Sequence, residues 1–185
     1  LGLCAILIGA LGNYRLNRRR DPKIREEEIR SILFSITEEI ILQRKKLATV
    51  AKIIAQLETT GKEFSSSKAD QFVLQWSLDR NPIYNANLSK IGMMPPDHVS
   101  SVVKFYCYME ECHDWLPFVM KGDSFGTRYA PTAVLEPALA ALAESARHIE
   151  KMRSKYKIEY ESTDIDTGHA SHVIADYNSR PKFSL

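Results

Sequence analysis

Gly122-Asp123-Ser124-Phe125-Gly126 has the form Gly-x-Ser-x-Gly, and Asp166 and His169 follow it in the chain order Ser, Asp, His used by α/β-hydrolases. A serine held on a sharp turn between a strand and a helix can attack a carbonyl once an imidazole takes its proton. The context here differs. A helix-like segment precedes Ser124, Thr127 to Ala130 separates it from the next helical pattern, and no series of short apolar strands is present to build a parallel sheet. The motif reads better as a Gly-bounded loop between helices. Hydrolysis through Ser124 is kept as an alternative, and an enzyme is not expected.

Glu110-x-x-His113 has the i, i+3 spacing with which helical bundles hold two iron ions, and Glu38, Glu39 and Glu144 supply carboxylates on other segments. Such a site requires a second Glu-x-x-His, which the chain lacks. His148 lies four residues after Glu144, and His169 and His172 stand in a polar tail with no further Cys or His beside them. A metal-binding bundle is thus the second alternative; no metal and no cofactor is expected, and all five His read as residues of solvated faces or of the tail. Arg44-Lys45-Lys46 also reads as a solvated face. No aromatic residues interleave with it, so nucleic acid is not an expected partner.

The elements that carry these residues begin with an uncharged run, Leu1 to Gly12, followed at once by Arg15, Arg18, Arg19, Arg20, Lys23 and Arg25. An apolar run capped on its C-terminal side by cations resembles the exit end of a membrane span, and Tyr14 stands where an interfacial aromatic would. A secretory signal has the opposite order, with its charges first. Twelve residues cover only ~18 Å as a helix, against the ~20 residues a span requires, so further apolar residues are expected ahead of Leu1. Residues 1–20 are read as this anchor, with Arg15, Arg18, Arg19 and Arg20 at the membrane boundary. The positive-inside rule then leaves the C-terminal part in the cytoplasm of a single-pass membrane protein.

With 185 residues, 44% of them apolar and 26% charged, the chain can bury one core, and its net charge of +2 is too small to suggest a polyanionic partner. Cys4, Cys107 and Cys112 are odd in number and suit a reducing compartment. Asp21-Pro22 reads as a helix start. From there Ile29, Leu33, Ile36, Ile40, Leu47, Val50, Ile54 and Leu57 recur three and four apart, with Gln43 as the one break, until Gly61. Two short helices are expected between Asp70 and Pro96, a long one from Pro96 to Lys121, and a last one from Pro131 with the seam Leu135, Leu139, Leu142, Ala146, Ile149, Met152 and Tyr156. Pro137 is tolerated in its first turns. The expected class is all-α: a transmembrane helix, a helical bundle domain over residues 21–160, and an extended or disordered tail over 161–185.

The stretch from Pro82 to Tyr106, with Tyr84, Asn87 and Gly92, then Pro95-Pro96, then a helix carrying Phe105-Tyr106, resembles a pattern in bacterial single-pass membrane proteins of uncharacterised function with a cytoplasmic helical domain. The likeness covers about 25 residues and the layout of anchor, long helix and compact helical part. It implies no particular activity. Read physically, the segment is a corner: Asn and Gly allow unusual backbone angles, and the double Pro starts a helix.

The resulting expectation is an accessory or scaffold subunit of a larger membrane assembly. Its partners would be membrane lipid and either other membrane-protein subunits or a second copy of itself. The long seam overhangs a small bundle, so its first members, Ile29, Leu33, Ile36 and Ile40, are expected to form a coiled-coil interface with another chain.

Overall fold

A single helix, α1, runs from Gly2 to Thr60, 59 residues or ~88 Å, and ends at Gly61, whose φ of 61° is the left-handed conformation that glycine adopts without strain. The computed structural model describes residues 2–62, 64–77, 81–122, 127–160 and 165–180, with side chains described from Pro22 onward. Asp21-Pro22 does not start a helix, as expected from sequence, but lies within one. Pro22 removes only the single hydrogen bond its missing N–H would make to the Arg18 carbonyl, and the turns on either side carry the helix across that gap.

Five further helices follow: α2 (Ser66–Ser77), α3 (Pro82–Ala86), α4 (Pro96–Lys121), α5 (Thr132–Tyr156) and α6 (Gly168–Ser179), with a 3₁₀ turn over Leu88–Met93. No strand occurs among the described residues, so the chain is all-α. No described helix is long and apolar enough to cross a membrane. Pro96 occupies the first position of α4, where a missing N–H is harmless, and Gly122 ends it at φ 85°. The α6 helix, Gly168–Ser179, lies within residues 161–185, for which an extended or disordered tail is expected from sequence. Ala170, Val173, Ile174 and Tyr177 are spaced three, one and three apart, one short stripe that seats Ala170 and Val173 in the core between α1 and α5.

The α1 helix runs antiparallel to α5 and parallel to α4. Near one end Phe34 packs on Tyr156, with ring centroids 5.3 Å apart, and Thr37 meets His148, whereas Ile54 shares the far end with Met120 and Pro131. The core lies in the seam between the three, from Leu33, Ile36 and Ile40 to Phe105, Met109, Leu135 and Met152, all fully buried. Ile29 packs on the same cluster. These four α1 residues were expected to face another chain; they face the protein's own helices, because α3, α5 and the 3₁₀ turn reach farther toward the N-terminus of α1 than helix lengths alone suggest. Pro22 to Glu27 are exposed, and Ile32 is the first buried residue.

Candidate functional site

The polar residues of the core form two centres. Glu39 on α1 turns its carboxylate toward the corner that the sequence singles out: Oε1 accepts from the Ile83 amide at 2.8 Å, and Oε2 accepts from the Tyr84 amide at 2.9 Å and the Tyr106 hydroxyl at 2.7 Å. The first turn of α3 thus receives from α1 the acceptor that Pro82 and Asn81 do not supply. Tyr84 stacks on Tyr106 with centroids 3.7 Å apart. Burial and the neighbouring carboxylate push the Tyr106 hydroxyl far above its ordinary range, so it stays a donor. Glu39 is therefore a structural hook rather than a metal ligand.

The second centre is a pair of histidines. His98 and His148, expected on solvated faces, are 1% and 0% exposed, with their rings in edge contact at 5.3 Å. Thr37 Oγ1 donates its hydrogen to the Leu33 carbonyl at 2.6 Å, so at 2.9 Å from His148 Nε2 it acts as acceptor. His148 is then the Nε2–H tautomer. Its Nδ1, and that of His98, have no hydrogen-bond partner among the described residues. Burial, with His98 and Lys151 adding to it, holds the His148 pKa down to about 3, and burial lowers that of His98 as well. Both rings are neutral at physiological pH.

Among the described residues, the remaining sequence candidates do not form a common site. Ser124 lies outside the described residues, while Asp166 caps the Gly168 amide at 3.0 Å and His169 meets Thr59 at 3.3 Å. Glu110 is exposed, and His113 stacks on Trp76 at 5.1 Å. Glu144 pairs with Arg147. No group of three or more potential metal ligands occurs among the described residues. The side chains of Arg15, Arg18, Arg19 and Arg20 lie outside the described part, although their backbone belongs to α1.

What sequence reasoning missed is on the surface. Trp115 and Phe118 on α4 and Tyr129 in the following loop form a triad with centroids 5.3 to 6.0 Å apart, and each is at least 36% exposed. Glu111 and Asp114 are exposed on the same face of α4 and have no ion-pair partner among the described residues. The signal was available: Trp115 and Phe118 fall off the α4 seam of Val102, Tyr106, Met109, Leu116 and Met120. The triad sits where α1 ends, since Tyr129 lines a cleft with Leu57 and Gly61. No protein-family model, no curated protein and no solved structure matches this chain.

Proposed function

We propose that the chain is a membrane-anchored accessory or scaffold subunit of a larger bacterial membrane assembly, holding its helical part in the cytoplasm. Its partner is a subunit that offers basic and apolar side chains to the Trp115–Phe118–Tyr129 face. The observation that carries this reading is the triad itself: three large aromatics in mutual contact, left in water beside two unpaired carboxylates. Exposed aromatic clusters of this kind are what interfaces bury, and the carboxylates select a cationic partner.

The anchor rests on the uncharged run Leu1 to Gly12 and the Arg cluster behind it. Between Arg20 and Leu57, α1 extends for ~55 Å, which would set the triad well away from the lipid surface. The experiment is fractionation: the full chain should stay with membranes through a carbonate wash, and a C-terminal reporter should be active in its cytoplasmic form. Release by carbonate, or activity only on the periplasmic side, would remove the anchor or reverse its orientation.

A further inference from the structure

Between α1, α5 and α6 lies a cleft of about 360 Å³, within the size range of small-molecule sites. Its floor is apolar: Ala48 and Ala51 from α1, Leu139 and Leu142 from α5, and Ala170 from α6. Three of these five are alanines, whose short side chains leave the space open. Its rim is polar and unevenly charged. Lys52 is exposed there with no ion-pair partner among the described residues, and His169 lines the same cleft from α6, beside Thr59. Asp166, the one carboxylate among the described residues that line the cleft, is turned to its own backbone, where Oδ1 accepts from the Gly168 amide. Thr59 Oγ1 spends its hydrogen on the carbonyls of Ala55 and Gln56, so it accepts from His169 Nε2 and fixes that ring's tautomer.

The geometry points to a binding site for a small monocarboxylate with an apolar body, its carboxylate on Lys52 and its body on the alanine and leucine floor. An unpaired ammonium beside an apolar cleft favours an anion with a hydrophobic remainder over either feature alone. Because α6 supplies one wall, an occupant also ties α6 to α1 and α5. The site is independent of the aromatic triad and of any membrane anchor.

The test uses the full chain in lipid nanodiscs with two probes, benzoate and hexanoate, and the neutral analogues benzamide and hexanamide, read by saturation-transfer NMR and by protection of α6 from proteolysis. At least one acid should bind about tenfold more tightly than its amide, the loss expected for one charge-assisted contact. Lys52→Met should abolish that preference while leaving the amide's binding unchanged, and Ala48→Leu, which fills the floor, should abolish both. Lys52 is a surface residue, so its variant keeps the fold. Failure of both acids to bind, a preference for acid over amide that Lys52→Met leaves unchanged, or acid binding without added protection of α6 would overturn the assignment.

Discussion

Tyr106 on α4 donates to Glu39 on α1 across 2.7 Å, and the same carboxylate oxygen accepts the amide of Tyr84, so one side chain ties together the long helix, the corner and the central helix of the bundle. The corner is held by a charge-assisted contact that neither Gly92 nor the double Pro provides.

Glu39→Gln turns an amide N–H₂ toward donors that need an acceptor. The variant should lose about 2–3 kcal/mol of stability, and Tyr106→Phe about 1–2 kcal/mol, by chemical denaturation. Equal stability of Glu39→Gln and the parent chain would show that the corner holds by packing alone.

The histidine pair gives the fold an acid-sensitive centre. His148 has its pKa depressed in the folded state, so the unfolded chain binds the extra proton as pH falls below about 6.5. Its contribution to stability is therefore complete above that pH and is lost on the way toward pH 3. Between pH 7 and pH 5 this one group should remove about 2 kcal/mol. In His148→Gln, which keeps a donor for Thr37, the pH dependence should be flatter by that amount; parallel curves for the two proteins would refute the assignment.

Ile36 and Ile40 are core, not interface. Ile36→Ala and Leu142→Ala should each cost about 2–5 kcal/mol and lower the melting of the whole bundle together. A split, in which Ile36→Ala changes only association with another chain, would restore the interface reading.

Val173→Asp puts a charge into the seat of α6, where Val173 is 3% exposed. Hydrogen exchange over residues 168–179 should rise sharply while α4 and α5 keep their protection. Uniform loss of protection would mean that α6 is integral to the bundle's cooperativity.

The seams of α4 and α5, and their ends at Gly122 and near Tyr156, were legible because apolar residues at spacings of three and four are read directly as buried faces. The histidines follow the same rule once it is extended to polar residues. His98 continues the α4 row of Val102, Phe105 and Met109, and His148 that of Ala141, Ser145 and Met152 on α5. A residue type that is usually solvated hid a position that is not. The α6 helix was illegible for another reason. Its stripe is short, and tertiary packing against α1 and α5 supplies the stability that its own sequence lacks. Pro22 shows the limit from the opposite side, since a strong local stop signal was overridden by the helix on both sides of it.

Docking through the aromatic triad is tested most directly by site-specific photo-crosslinking in intact cells, with a benzophenone amino acid at position 118 and, as control, at the exposed position 49 on α1. One discrete adduct should form in the membrane fraction from position 118, lost when Glu111 and Asp114 are both changed to Lys, and none from position 49. No adduct at position 118, or one that persists through the charge reversal, would contradict docking through the triad.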